Sequence, residues 1–370
     1  MINEKRLVDS FLEYVQIDSP TKEELEFANY IRGVLEDLGL EVYMDNAGDK
    51  VGSNAGNIVA KLKGNPNGTP ILFSCHMDTV SPGKGIKPQI KDGIISSDGS
   101  TILGADDKAG IAAVVEALQI IKDENIDHGD IEVVFSIYEE GGLFGAKNLD
   151  YSKLDSKKAY VLDSGGAPGT IIYKGPAQSS VKIKFIGKEA HAGVAPETGI
   201  SAIEIAAEAI SNMNLLRIDE ETTANIGIIQ GGSATNIVTK EVILEGEARS
   251  LDNDKLKAQT DHMVKVSNEA AEKYKGQVEI DIAQSYEAFE ISLDHELVED
   301  VKAANEILGF KTITVPSGGG SDTNIYNSKG IPTINLGIGM MAPHTLEEHI
   351  SIEDLVNSSK LVLELIKANA

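Results

Sequence analysis

The order of secondary-structure signals predicts an α/β protein, an open mixed sheet flanked by helices, interrupted by a second domain of β-α-β-β-α-β order. Three observations carry this reading. Strand-like and helix-like segments alternate over residues 1–176. Within 177 to 287 the first and last strand signals, Val181 to Ile186 and the run carrying Val278, Ile280 and Ile282, alternate apolar and polar, the mark of half-solvated strands. From about residue 288 the α/β pattern resumes. The expected organisation is a split first domain, 1–176 and 288–370, with an inserted ferredoxin-like domain at 177–287.

Taken in order, Ser19-Pro20-Thr21 with Glu24 has the pattern of a capped helix start. Phe27, Ile31, Leu35 and Leu38 form its apolar stripe, and Gly39 is placed as its stop. Strands are expected at Leu40 to Tyr43, Asn57 to Leu62 and Pro70 to Cys75. Gly104 to Lys122 reads as a helix, with Ile111, Val114, Val115, Leu118 and Ile121 on one face. Further strands fall at Ile131 to Ile137 and Ala159 to Leu162.

The inserted domain opens with the alternating run Val181 to Ile186. A helix near Gly199 to Met213, strands near Ala224 to Gln230 and Lys240 to Arg249, a helix from Asn253 to Tyr274 and a strand carrying Val278, Ile280 and Ile282 complete it. Beyond it come a helix at Leu297 to Leu308, a strand at Thr312 to Val315, a flexible loop from Gly318 to Asp322 and a strand at Ile331 to Leu336. Ser351 is expected to cap a final helix that ends near Lys367.

Composition narrows the function classes. The 370 residues are 41% hydrophobic, enough for real cores in about two domains. A net charge of −25 excludes a nucleic-acid binder, which needs basic patches. No run approaches the ~18 apolar residues of a membrane span, and the N-terminus lacks a signal-peptide core. A single cysteine excludes an internal disulfide framework. Together these point to the cytoplasm. Most of the negative charge reads as a soluble acidic surface.

The residues that carry chemistry share one placement. His76 and Asp78 follow the strand-like Ile71 to Cys75, Glu139 and Glu140 follow Ile131 to Ile137, and Asp163 closes Ala159 to Leu162. Sites in open α/β sheets form outside the carboxyl ends of the strands, so imidazole and carboxylates at three strand ends read as one site. Asp106, at the entrance of a helix, and the late His344 complete a ligand set for two metal ions. Mixed nitrogen and oxygen donors suit zinc, with manganese or cobalt as alternatives. Asp78 is placed to orient His76, since a metal-bound histidine usually gives its other N–H to an acceptor. Asp106 can offer one oxygen to each of two metals. Of the adjacent Glu139 and Glu140, one can ligate while the other takes a proton from an activated water.

Ser74-Cys75-His76-Met77-Asp78-Thr79-Val80, Gly104-Ala105-Asp106-Asp107-Lys108-Ala109-Gly110, Tyr138-Glu139-Glu140-Gly141, Leu162-Asp163 and His344 resemble the motifs of the co-catalytic dinuclear zinc exopeptidases. That family includes peptidase T, succinyl-diaminopimelate desuccinylase, aminoacylase and glutamate-releasing carboxypeptidases. The resemblance spans nearly the whole chain, and Thr101 to Gly110 is most similar to the peptidase T branch. It implies that His76 and Asp163 bind one metal, Glu140 and His344 the other, and that Asp106 bridges them. It implies that Glu139 is the general base, that Asp78 orients His76, and that the Asp106–Asp107 peptide is cis. In the inserted domain, Gly187 to Gly193 with Pro196 resembles the family's lid motif, which makes His191 an oxyanion donor. Asn236 and Arg249 resemble substrate-contacting residues, the arginine gripping a carboxylate, and Gly319 belongs to a loop expected to line the cleft. Dimerisation through the inserted domain is implied by the resemblance alone.

The implied activity is hydrolysis of the N-terminal residue from short peptides, tripeptides above all. A carboxypeptidase or an N-acyl amino acid deacylase would share the metal chemistry, and a non-catalytic metal-binding interaction protein is a further alternative. Asp107 reads equally as a helix N-cap neighbour. Cys75 reads as a buried thiol rather than a nucleophile, and His128, His262, His295 and His349 as structural or solvated side chains.

Overall fold

The computed structural model describes all 370 residues and divides into two compact units. The first comprises Met1–Lys174, Glu290–Pro316 and Ser321–Ala370. The second comprises Gly175–Phe289 and Ser317–Gly320.

The first unit is built on a mixed sheet. Its principal strands, in spatial order, are Glu41–Met44, Ile58–Leu62, Ile131–Ser136, Ile71–His76, Ala159–Ser164, Thr333–Gly337 and Thr170–Gly175, with Ile313–Pro316 paired beside the last. Ile131–Ser136, Ile71–His76, Ala159–Ser164 and Thr333–Gly337 run parallel to one another. Ile71–His76 and Ile131–Ser136 are buried at every residue, as parallel strands covered on both faces must be. This explains why they read as continuous apolar runs. Their carboxyl ends lie on the same side of the sheet. The helix Ala105–Glu124 packs on Ile71–His76 and on the final helix Ile352–Ala368. No helix is long and apolar enough to cross a membrane.

Several expectations are corrected here. Ser19 does not cap a helix. Its hydroxyl donates to the Met77 carbonyl (2.8 Å), and Pro20 pairs with Thr79, so this segment is extended against the site. The helix begins later, at Leu25–Leu38, and a first helix, Glu4–Gln16, precedes it. The Gly318 to Asp322 segment is not one loop, because Ser321 caps a helix at Asp322–Ser328. A three-stranded sheet of Gln89–Lys91, Ile94–Ser96 and His349–Ser351 has strands too short for a sequence period to show.

The second unit is a fully antiparallel sheet with spatial order Thr222–Gly231, Glu241–Ser250, Ala177–Ile186, Gln277–Tyr286. The helices Ala202–Asn212 and Asn253–Lys273 cover it, completing the ferredoxin-like β-α-β-β-α-β order. Val181, Ile183 and Phe185 point into its core, while Lys182 and Lys184 pair with Glu245 and Glu241 on the other face. The loop Ser317–Gly320, assigned from sequence to the metal-binding domain, packs with this unit instead. Gly320 lies so close to the Tyr286 ring that a Cβ there would sit 2.3 Å from its Cζ, which only glycine permits.

The alternation makes a contrast that can be measured. Phe185→Ala should cost the inserted unit about 3–5 kcal/mol, whereas Lys184→Ala, one residue away on the wet face, should change stability by less than about 0.5 kcal/mol. Urea unfolding of the two variants checks the register, and similar losses would contradict it.

Candidate metal centre and active site

Three adjacent parallel strands deliver the first part of the site. His76 ends Ile71–His76, Glu139 and Glu140 follow Ile131–Ser136, and Asp163 lies near the end of Ala159–Ser164. Asp106 enters from the start of the helix Ala105–Glu124, where Asp106 and Asp107 depart from helical dihedrals and the peptide between them is cis. His344 enters from a loop and has a positive φ of 63°.

Asp106 stands between the two histidines. Its Oδ1 lies 3.0 Å from His76 Nε2 and its Oδ2 lies 3.1 Å from His344 Nε2. Asp163 Oδ1 is 3.8 Å from His76 Nε2, and Glu140 Oε1 is 2.9 Å from His344 Nε2. Donors held about 2.0–2.2 Å from a tetrahedral zinc stand roughly 3.3–3.6 Å apart, and these separations bracket that value. The Glu140 Oε1 atom is buried and faces only the His344 Nε2 atom, 2.9 Å away. A buried carboxylate oxygen left in that condition suits a cation. Donor atoms of His76, Asp106 and Glu140 fall within 4.8 Å of one another, as do those of His76, Asp107 and Asp163. The residues present therefore have the donor types and spacing that metal ions take.

The surroundings fix the ligand atoms. His76 Nδ1 donates to the main-chain carbonyl of Asp78 at 2.8 Å, which turns Nε2 toward Asp106 and the site. The Asp78 carboxylate lies 3.6 Å from the same Nδ1 and also accepts the N–H groups of Glu139 (2.9 Å) and Glu140 (3.3 Å) and the Thr21 hydroxyl (2.8 Å). Asp78 therefore stands beside the histidine and holds the turn of the two glutamates as well. Asp107 is buried and accepts the His76 N–H at 3.2 Å, a supporting contact to the ligand strand.

Other supports were not visible in the sequence. Glu348 is buried and accepts three main-chain N–H groups, from Leu103 (2.7 Å), Gly104 (2.8 Å) and Asp106 (3.0 Å). It lies four residues beyond His344, so it ties the His344 segment to the Asp106 turn. The Asn335 side chain clamps Asp163 by accepting its N–H (2.9 Å) and donating to its carbonyl (2.7 Å). Glu24 accepts the Tyr138 N–H at 3.1 Å and steadies the turn that presents Glu139. Asp322 accepts the Ser136 hydroxyl at 2.5 Å, and burial pushes its carboxyl up to about 6. An acidic pair after a histidine, or an aspartate after a glycine run, was the only signal these residues offered.

The electrostatics are those of acids forced together. Burial pushes Glu139 well above the usual carboxylate range; His76 opposes this, and the charges of Asp322, Glu140 and Asp78 add to it. Asp163 is raised likewise by burial and by Asp106 and Glu139. Burial opposes the ionisation of Asp106, yet His344 and His76 outweigh it and hold this carboxyl far below its ordinary value. The carboxylates of Asp106 and Glu140 raise His344 to about 10 against the opposing effect of burial.

The remaining expected site residues lie in the second unit. His191 is exposed, and its Nδ1 accepts the Gly193 N–H at 3.1 Å. Asn236 is joined to this turn, its carbonyl accepting the Ala192 N–H at 2.9 Å. Arg249 lies on the strand Glu241–Ser250 in a two-point contact with Glu247. Gly319 sits in an exposed turn closed by the Ser317 hydroxyl. His128, His262, His295 and His349 make local main-chain contacts.

The sheet delivers histidine and acids from its strand ends to Asp106, the donor types of a candidate metal centre. Residues 72–368 match the model of peptidase family M20/M25/M40, and the chain belongs to that family. It is 30% identical to peptidase T of Clostridium perfringens strain 13, with 99% of each chain covered. Its structure superposes on aminopeptidase PepT of Bacillus cereus with a TM-score of 0.93 at 46% identity, covering 99% of both chains. It superposes on a tripeptidase of Staphylococcus aureus with a TM-score of 0.96 at 45% identity, covering 99% of this chain and 98% of that one.

The His344 environment predicts a proton linkage. In the metal-free protein this imidazole keeps its proton up to about pH 10, above its ordinary 6.5. That shift stabilises the metal-free fold fully below pH 6.5 and fades as pH rises through about 10. A protonated imidazole cannot ligate, so metal uptake near pH 8 should release a proton here and tighten about tenfold per pH unit from this group alone. Calorimetric titration with zinc in buffers of differing ionisation enthalpy measures the release. Affinity that falls with rising pH would contradict the assignment.

Proposed function

We propose that this chain is a dinuclear metallo-exopeptidase that removes the N-terminal residue from short peptides, tripeptides above all. The observation that carries the proposal is the Asp106 carboxylate, which presents one oxygen to each of two histidines. His76 and Asp163 would hold one ion with Asp106 Oδ1, and Glu140 and His344 the other with Oδ2. Zinc suits this donor set, with manganese or cobalt as alternatives. When bound, such ions lower the pKa of a water toward ~7 and polarise a carbonyl.

The protein's own residues supply the rest. Glu139 takes the proton from the attacking water and returns it to the leaving amine. Its raised proton affinity suits both halves of that task, and the Asp78 contact to its N–H keeps it in place. His191 is the oxyanion donor. Because its Nδ1 accepts from Gly193, the neutral ring carries its proton on Nε2, the atom able to donate to a carbonyl oxygen. Arg249 grips the far carboxylate of a short peptide, and Asn236 and Gly319 contact the substrate. The inserted unit acts as a lid and as the surface for homodimerisation. The relatives named aminopeptidase, tripeptidase and peptidase T support the preference for a free amino end and a short chain.

Glu139→Gln keeps the shape and removes the base. Turnover should fall by ~10²–10⁴-fold with metal content unchanged. Wild-type kcat in this variant would move the base to another residue. Substrate choice is tested with metal-loaded protein, a tripeptide, its N-acetylated form and a dipeptide, with products identified by mass. Release of the N-terminal residue from the free tripeptide, with little action on the acetylated one, is expected. Equal cleavage of the blocked peptide would replace this reading with a deacylase or carboxypeptidase.

A further inference from the structure

Arg249 is already engaged by a carboxylate of its own strand. Glu247 and Arg249 are two residues apart on Glu241–Ser250 and so project from the same face. Arg249 Nε donates to Glu247 Oε1 at 2.9 Å and Nη2 donates to Oε2 at 3.0 Å, the side-on fork in which both carboxylate oxygens are used. Glu247 is braced in turn by Gln178 on the neighbouring strand, whose Nε2 donates to Oε2 at 2.5 Å. The Arg249 side chain is 29% exposed and the Glu247 side chain 37%.

This arrangement adds little to the fold. The two strands it touches are already in register from Glu241 opposite Ile186 to Ser250 opposite Ala177. The pair spans only two residues of one chain segment, so it links no elements that the sheet leaves apart. What it does fix is direction. A guanidinium has two forked edges, and the Nε–Nη2 edge is turned toward Glu247, which aims the Nη1–Nη2 edge the other way. The pair also sets charge. Arginine and glutamate together are close to neutral, so the Nη1–Nη2 edge attracts one carboxylate, and a second anionic group arriving beside it meets the Glu247 charge.

We infer that Glu247 is a positioning and specificity-determining residue: it selects the edge of Arg249 that receives the peptide's terminal carboxylate and limits that subsite to a single carboxylate. The favoured substrates are short peptides whose last side chain is uncharged or basic, and peptides ending in Asp or Glu are disfavoured. This rests on the reading of Arg249 as the carboxylate anchor.

The test is steady-state kinetics of the metal-loaded enzyme with three tripeptides sharing their first two residues: one ending in a neutral residue as the free acid, the same peptide as its C-terminal amide, and one ending in Glu. Glu247→Ala frees the guanidinium to rotate. KM for the free acid should rise about tenfold with kcat little changed, while KM for the amide moves less than about threefold. Glu247→Gln keeps the shape and removes the charge, so kcat/KM for the Glu-terminal peptide should improve about tenfold relative to the neutral one. Acid and amide moving together in Glu247→Ala, with no gain for the Glu-terminal peptide in Glu247→Gln, would overturn the inference. Arg249→Ala separates the two levels. If it leaves the preference for acid over amide intact, the anchor reading itself falls. If it abolishes that preference while both Glu247 variants behave as wild type, the anchor stands and the role of Glu247 is refuted.

Discussion

The organisation of this protein turns on one carboxylate shared between two imidazoles. Asp106 reaches His76 through one oxygen and His344 through the other, and those histidines are 268 positions apart in a chain of 370. Burial alone would push the Asp106 proton affinity up, yet the two imidazoles hold it far down. Its neighbours Asp163 and Glu139 go the other way, raised first by burial and then by the charges of nearby acids. Acids crowded like this destabilise a fold unless cations offset them, which is the electrostatic argument for a metal pair here.

Such a site needs rigid mounting, and the structure supplies it through main-chain N–H groups captured by further buried carboxylates. Asp78 holds the turn carrying Glu139 and Glu140, Glu24 holds the residue before them, and Glu348 holds the turn before Asp106. These acids shape the loops that carry Asp106, Glu139 and Glu140. Because Glu348 follows His344 by four residues, its grip on the Asp106 turn ties the Asp106 and His344 segments to each other.

The parts legible in the sequence were those with a period or a fixed motif. Buried parallel strands announced themselves as unbroken apolar runs, and the inserted unit announced itself by alternation at Val181 to Ile186. His76, Glu140 and Asp163 stood out because ligand-type residues followed strand signals, and Asp106 at a helix entrance and the late His344 stood out through the motifs they belong to. What stayed hidden has a physical reason. Ser19-Pro20-Thr21 has the local chemistry of a helix cap, but pairing with Thr79 and Met77 overrode that propensity. Three-residue strands such as Gln89–Lys91 carry no measurable period. Spacing placed Asp78 beside the His76 ring, but it could not show that the same carboxylate also takes the Glu139 and Glu140 N–H groups. Glu348, Asn335 and Asp322 act through contacts that only the folded chain creates.

The central claim is that Asp106 bridges two ions, and the most direct measurement is anomalous diffraction at the zinc edge from crystals of the zinc-loaded protein. The account predicts two peaks about 3.5–4 Å apart, one beside each Asp106 oxygen, with His76 and Asp163 around the first and Glu140 and His344 around the second. A single peak, or two peaks that do not share Asp106, would contradict it.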